Sequence, residues 1–191
     1  KLPPLDDFDK VIESLKHTVT IEEKIEHIVF PPNIKTLVDK GMGRIYIDYL
    51  VSRDYTREEA KHLCEIYWLM YATTGPFASR IIIPIEMPQG IVTWTGRDIT
   101  GTSDARYKTL SKEESSCSIK HTLFGFKSLM EDKDAETVIV CEGPFDAIRT
   151  DFFGYPFGIR ATCLFGLQAT DSQVNLLSHL ASRYKNRYIA L

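Results

Sequence analysis

The sequence predicts an α+β N-terminal subdomain followed by an α/β, Rossmann-like unit built on a parallel sheet. Three observations carry that expectation. Helical periodicity fills residues 34–71, β-branched runs replace it over 80–110, and from Glu136 short apolar strands alternate with helices. Strand–helix–strand order favours parallel pairing, because each crossover helix returns the chain to the same edge in the same direction. The 191 residues suffice for one domain, or two small ones, with a real core.

Residues 1–33 read as a tether with helical pieces. Thr20 and Glu23 have capping-box spacing ahead of Ile21, Ile25, Ile28 and Val29, and Pro31-Pro32 stops that helix. In the helical part of the next subdomain (34–130), Ile45, Tyr49 and Leu50 give one apolar face. Thr56 and Glu59 form a second capping box. It opens a helix with the stripe Ala60, Leu63, Cys64, Tyr67, Trp68 and Tyr71, spaced three and four apart as one buried face requires. In the strand-rich part, Ile81-Ile82-Ile83-Pro84-Ile85 and Ile91-Val92-Thr93-Trp94-Thr95 are joined by the turn Met87-Pro88-Gln89-Gly90, which predicts a hairpin. A polar segment follows from Arg97 to Ser118.

The third region (136–191) begins with the buried-type strand Thr137-Val138-Ile139-Val140-Cys141. A short helix from Pro144 to Asp151 follows, then a strand at Ala161-Thr162-Cys163-Leu164-Phe165 ending on Gly166. Thr170 and Gln173 cap a helix with Val174, Leu177 and Leu180 on one face, and Tyr188-Ile189-Ala190-Leu191 starts a third strand.

Composition narrows the function classes. Hydrophobic residues make up 43% and charged residues 26%, ordinary values for a globular chain. No apolar run approaches the roughly 20 residues of a membrane helix, and Lys1-Leu2-Pro3-Pro4 starts no signal pattern. An intracellular, cytoplasmic chain without a membrane partner is the expectation. Cys64, Cys117, Cys141 and Cys163 form no C-x-x-C pair, so neither a zinc site nor a disulfide framework is expected. His17, His27, His62, His121 and His179 do not cluster at metal-ligand spacing. The net charge of −3 speaks against tight nucleic-acid binding. Its distribution is uneven: Asp6, Asp7, Asp9, Glu13, Glu22, Glu23 and Glu26 make the start acidic, whereas the stretch from Arg80 to Lys127 is mildly basic. That suits transient contact with nucleic acid.

The chemistry-bearing letters start at Glu142, directly after the strand Thr137–Cys141. Gly143 lets the backbone turn, and Asp146 lies four residues on. Ligands of parallel sheets bind beyond the carboxyl ends of strands. Two carboxylates there suit Mg²⁺, which takes oxygen ligands and keeps several waters. An exposed acid followed by a helix-capping Asp is the plain alternative. The string Val138-Ile139-Val140-Cys141-Glu142-Gly143-Pro144-Phe145-Asp146-Ala147 resembles the first TOPRIM motif, an apolar strand followed by E-G-x-x-D. Ala161-Thr162-Cys163-Leu164-Phe165-Gly166-Leu167 is similar to the second TOPRIM strand, which ends in glycine. The third motif, Asp-x-Asp, is expected just after Leu191, so the region reads as a partial TOPRIM domain and its metal site as incomplete.

Upstream residues narrow the resemblance to the RNA polymerase core of bacterial and phage-type DNA primases. Tyr49-Leu50-Val51-Ser52-Arg53 with Thr56 resembles Y-L-x-x-R-G-[IL]-[ST], with Asp54 in place of the glycine. Arg80-Ile81-Ile82-Ile83-Pro84-Ile85 resembles R-I-x-F-P-I, and Gly96-Arg97-Asp98-Ile99 matches G-R-x-[IL]. Arg106-Tyr107 stands where primases carry K-Y, with Thr109 where many have Asn, and Lys120 precedes Leu123-Phe124-Gly125-Phe126 as in K-G-x-x-L-Y-G-L. The likeness covers residues 42–191.

The resemblance implies RNA primer synthesis on single-stranded DNA. Glu142 and Asp146 would serve as catalytic metal ligands for Mg²⁺ or Mn²⁺. Glu142 as a general base stays open. Arg53, Arg97, Arg106 and Lys120 would meet nucleotide phosphates or template backbone, and Tyr107 would stack on a base. For each cation the plain alternative is a solvated surface charge. The implied partners are a single-stranded DNA template, ribonucleoside triphosphates and a replicative helicase, in cis or in trans. Two other readings compete: a non-catalytic module binding single strands, nucleotides or a partner protein, and another TOPRIM enzyme, a nuclease or topoisomerase. No separate domain with a nucleophilic Tyr, which a topoisomerase needs, is found.

Overall fold

A computed structural model describes residues 28–189. The Thr20–Glu23 cap, the acidic segment, His17, His27 and the last two residues lie outside the described residues. The described chain is a mixed α/β fold with one antiparallel and one parallel sheet.

The antiparallel sheet has five strands in chain order: β1 (Ile34–Thr36), β2 (Met70–Ala72), β3 (Arg80–Met87), β4 (Gly90–Asp98) and β5 (Tyr107–Thr109). The expected hairpin is β3–β4, registered from Arg80 opposite Asp98 to Met87 opposite Gly90. Its two faces differ. Ile81, Ile83 and Ile85 point into the main core, while Ile82 and Trp94 pack on the reverse face with Ile34, Phe77 and Leu110. β1 and β2 lie inside the stretch 34–71 expected to be helical, and β5 lies inside the expected polar segment.

Between β1 and β2 run α1 (Gly43–Val51) and α2 (Arg57–Ile66). α1 buries Tyr46, Ile47 and Leu50, with the Tyr46 hydroxyl donating to the Ala72 carbonyl at 2.7 Å. Ile45, expected on the buried face, is 52% exposed, because the docked face is rotated by one residue to bring Tyr46 onto β2. α2 starts as expected. The Thr56 hydroxyl accepts from the Glu59 amide, and the Glu59 carboxylate accepts from the Thr56 amide.

α2 stops before the expected stripe is complete. Trp68 takes a left-handed conformation (φ 49°), and the Leu69 amide bonds back to the Cys64 carbonyl at 3.0 Å, a Schellman ending. Trp68 is thereby turned outward and is 70% exposed, and Tyr71 is buried in β2 rather than on the helix.

A short helix α3 (Phe126–Glu131) leads into the parallel sheet of β6 (Thr137–Cys141), β7 (Ile159–Cys163) and β8 (Asn186–Ile189), in the order β7-β6-β8. Pro144–Gly154 (α4) crosses from β6 to β7, and Asp171–Arg183 (α5) from β7 to β8. β7 starts two residues earlier than expected, launched by Gly158 at φ 71°. α4 runs on to Gly154, which packs tightly on Ile159. The Thr170–Gln173 capping box of α5 is present. Val174, expected on the apolar face of α5, is 40% exposed, while Leu180 is fully buried.

One core joins the two sheets. Ile47, Leu63, Ile81 and Ile83 from the first part share a cluster with Cys141, Phe145, Ile148 and Ala161 from the second. A buried polar network reinforces the joint. Arg160 bonds Asp151 at 2.7 Å and also pairs with Asp132, while Tyr67 donates to Asp151 at 2.8 Å. All four cysteines are free thiols, and Cys64, Cys141 and Cys163 are buried. Among the described residues no helix is long and apolar enough to cross a membrane.

Candidate functional site

β6 ends at Cys141, so Glu142 emerges at the carboxyl edge of the parallel sheet and is exposed. Gly143 is extended (φ −118°, ψ 157°) and serves as N-cap of α4, with Pro144 in the first turn. That places Asp146 in the same turn, exposed, where a carboxylate is favoured by the helix dipole. Asp146 Oδ2 lies 3.2 Å from where a side-chain carbon on Gly143 would stand, so the glycine leaves room for the carboxylate. Among the described residues neither acid is in an ion pair.

Phe145 lies between the two acids in sequence and is 2% exposed. Two cations stack on it. The Arg53 guanidinium stands 5.2 Å from the ring centroid, coming from the turn after α1, and that of Arg97 stands 5.7 Å away, coming from β4. Arg97 also lies 5.1 Å from the Tyr107 ring and donates from Nε to the Tyr49 hydroxyl at 3.0 Å. Burial works against the Arg97 charge, but the Tyr107 and Tyr49 hydroxyls outweigh it and its pKa is raised. Burial likewise raises the Tyr107 hydroxyl, against the opposing pull of Arg97 and the Phe145 amide.

Arg53 and Arg97 thus meet at Phe145, with Tyr107 against Arg97 and Asp146 near enough to Tyr107 to act on its charge, while Glu142 stands just past the end of β6 in the chain. Tyr107 is half-buried, and the Arg97 guanidinium is drawn to its ring, which leaves less aromatic surface for a base. Lys120 stands at the neighbouring strand end. Its ammonium donates to the carbonyls of Phe165 (2.9 Å) and Leu164 (3.4 Å), just beyond β7. Gly166 has φ 147°, a backbone conformation that side-chain-bearing residues rarely adopt, which accounts for the glycine that ends the second motif. The Gly166 amide donates to the Glu142 carbonyl at 3.1 Å, stapling the two strand-end loops together. Arg106 stays apart. Its side chain is exposed, and its carbonyl accepts from the Asp98 amide and from Arg80.

The sequence reading missed Tyr49 and Phe145, the aromatic platform on which the cations rest, and Arg149, one turn after Asp146. The repeated Arg/Tyr/Phe lettering was the available signal, but only the fold brings those letters within reach of one another. No nucleophilic thiol is poised here, since burial pushes both Cys141 and Cys163 upward. Among the described residues no three His, Cys, Asp or Glu side chains group as metal ligands. A pair of carboxylates suffices for Mg²⁺ when substrate phosphates and water complete its octahedron. A separate cleft of about 1090 Å³ lies on the reverse face of the antiparallel sheet, lined by Trp94, Phe77 and Lys108. None of the seven candidates lines it, so it is not the acid site.

No known protein family and no curated protein matches the chain. Solved structures do. The DnaG primase catalytic domain bound to ssDNA superposes with a TM-score of 0.57 at 16% identity, covering 80% of this chain and 57% of that one. The DnaG catalytic core gives 0.57 at 17%, covering 80% and 56%. The E. coli primase catalytic core gives 0.56 at 16%, again covering 80% and 56%. At such identities the shared property is the fold: this chain has a primase-core fold and spans little more than half the length of those structures.

Proposed function

We propose that this chain is part of a primase-type nucleotidyltransferase core, which joins ribonucleotides on a single-stranded DNA template. The observation that carries the reading is the pair of guanidiniums from the antiparallel part seated on the Phe145 ring, the residue that Glu142 and Asp146 flank at the carboxyl edge of the parallel part. Opposite charges gathered without cancelling suit a ligand that brings both polyanion and cation, a metal-bound triphosphate. The primase-core fold and the order of the upstream motifs support the same reading.

On this reading residues 136–191 belong to a TOPRIM-like unit, as the E-G-x-x-D lettering at Glu142–Asp146 suggests. Glu142 and Asp146 would hold Mg²⁺ or Mn²⁺. When bound, that cation polarises phosphate oxygens and neutralises charge that develops on them. The chain's own residues do the rest. Arg53 and Arg97 clamp the triphosphate oxygens, with Arg97 fixed by the Tyr49 hydroxyl so that its fork is preorganised. Lys120 holds the loop beyond β7 against Glu142, and Arg106, exposed and apart, meets template backbone. Rate enhancement then comes from positioning and electrostatics.

The test is template-dependent ribonucleotide incorporation on single-stranded DNA with Mg²⁺ or Mn²⁺, using the full-length protein. Wild type is expected to make primers, and Glu142→Gln to lose at least two orders of magnitude, the scale of removing one electrostatic stabiliser, roughly 10²–10³-fold. A protein that binds single strands but never polymerises would transfer the fold to a binding role.

A further inference from the structure

Arg149 is the cation the motifs pass over. It sits on α4 three residues after Asp146, on the adjoining turn, and its backbone position is exposed. Its Nη1 donates to the carbonyl oxygen of Arg53 at 2.7 Å, closing a contact across 96 residues of chain. The same guanidinium lies 5.3 Å from the Tyr55 ring and 5.5 Å from the Phe153 ring. Those rings stack on each other, 5.7 Å apart and 9° from parallel. Burial pushes the Tyr55 hydroxyl upward while Arg149 and Arg53 pull it back, as two guanidiniums close to one phenol must.

The Arg53 carbonyl lies just past α1, whose C-cap is Ser52, and the chain turns away at once, Asp54 taking φ 66°. Arg149 supplies a donor to it from the other half of the fold. The side chain of the same residue, Arg53, stands over Phe145. α4 therefore touches Arg53 twice: through Phe145 under its guanidinium and through Arg149 at its backbone.

We infer that Arg149 is a positioning residue for triphosphate binding, which pins the Arg53 backbone to α4 and so holds the Arg53 guanidinium over Phe145. The inference rests on the function proposed above, in which Arg53 meets the triphosphate. Arg149 itself does not touch the ligand. The contacts it makes within the protein are to Arg53, Tyr55 and Phe153.

A double-mutant cycle read by calorimetric titration tests it. The ligands are ATP with Mg²⁺ and, separately, inorganic triphosphate. The proteins are wild type, Arg53→Ala, Arg149→Ala and the double variant. Arg53→Ala and Arg149→Ala are each expected to bind about tenfold more weakly, the scale of one charge-assisted hydrogen bond. The double variant is expected to match Arg53→Ala, because Arg149 acts only through it. Wild-type affinity in Arg149→Ala would make the residue a surface brace and overturn the inference while leaving the proposed function standing. Additive losses in the double variant, about a hundredfold together, would overturn it as well, by giving Arg149 a contact of its own. No binding by wild type would remove the proposed function, and the inference with it. Arg149→Lys covers the case in which the alanine variant does not fold. It keeps the charge and one donor and is expected to show an intermediate loss, whereas affinity equal to wild type together with a lowered melting temperature would overturn the positioning role.

Discussion

Arg97 shows how a site residue can be legible in identity and illegible in setting. Its motif, Gly96-Arg97-Asp98-Ile99, marked it as a phosphate ligand, but nothing in those letters gave the Tyr49 hydroxyl, the Tyr107 ring or the Phe145 ring that hold it. The Tyr49 and Phe145 contacts each join residues 48 apart, beyond the reach of any local pattern. Arg97→Ala should weaken triphosphate and single-strand binding and lower the slope of log K against log salt by about one, as losing one phosphate contact does. Titrations at several salt concentrations read this, with circular dichroism confirming an intact fold, and an unchanged slope would remove Arg97 from the site. Asp132 gives a second residue-scale outcome. Burial pushes its carboxyl up, but the amides of Ala135 and Asp134 and the Arg160 guanidinium pull it further down, so its pKa lies below the usual value. A depressed folded pKa means a contribution fully present above the unfolded pKa, about 3.9, and lost as pH falls through the folded one. Thermal melts should therefore drop as pH falls below about 4, and Asp132→Asn should flatten that acid limb while lowering stability at pH 7.

At the scale of elements, the parts legible in the sequence were those with local chemistry. Both described capping boxes formed, because a hydroxyl and a carboxylate or amide three residues apart suffice to make one. The β3–β4 hairpin followed from two β-branched runs and a Pro-Gln turn. β1, β2 and β5 were not legible, since three residues are too few to show alternation, and the β1–β2 pair joins strands more than thirty residues apart. The end of α2 was misplaced for a related reason. Tyr67, Trp68 and Tyr71 continue the helical spacing, yet Trp68 adopts the left-handed conformation that glycine usually supplies. Since that conformation costs a side-chain-bearing residue about 1–2 kcal/mol and the indole is largely exposed, Trp68→Gly should raise stability by about 1 kcal/mol. Urea unfolding measures it, and a loss of stability would mean that the indole makes contacts that outweigh the strain.

Over the whole molecule, the strands before residues 130–136 form an antiparallel sheet and those after them a parallel one. Their cores are not separate. One cluster takes in Ile47, Ile81 and Phe145, and Tyr67 reaches across 84 residues to Asp151. A shared core predicts a single cooperative unfolding transition. Trp68 and Trp94 both lie in the first part, so their fluorescence follows the antiparallel sheet while far-ultraviolet circular dichroism follows both. The two curves should coincide, and a parallel unit melting by itself would separate them. The same joint makes the candidate site composite, with carboxylates from one part and guanidiniums from the other around Phe145. That single site is the centre of the account, and linkage between its ligands tests it most directly. ATP affinity should be measured with and without Mn²⁺ on wild type, Glu142→Gln and Arg97→Ala. The account predicts that Mn²⁺ strengthens ATP binding in wild type, that Glu142→Gln abolishes this coupling while retaining metal-free binding, and that Arg97→Ala weakens binding in both conditions. Equal ATP affinity with and without Mn²⁺, or a coupling that survives Glu142→Gln, would show that the acids and the guanidiniums do not form one site.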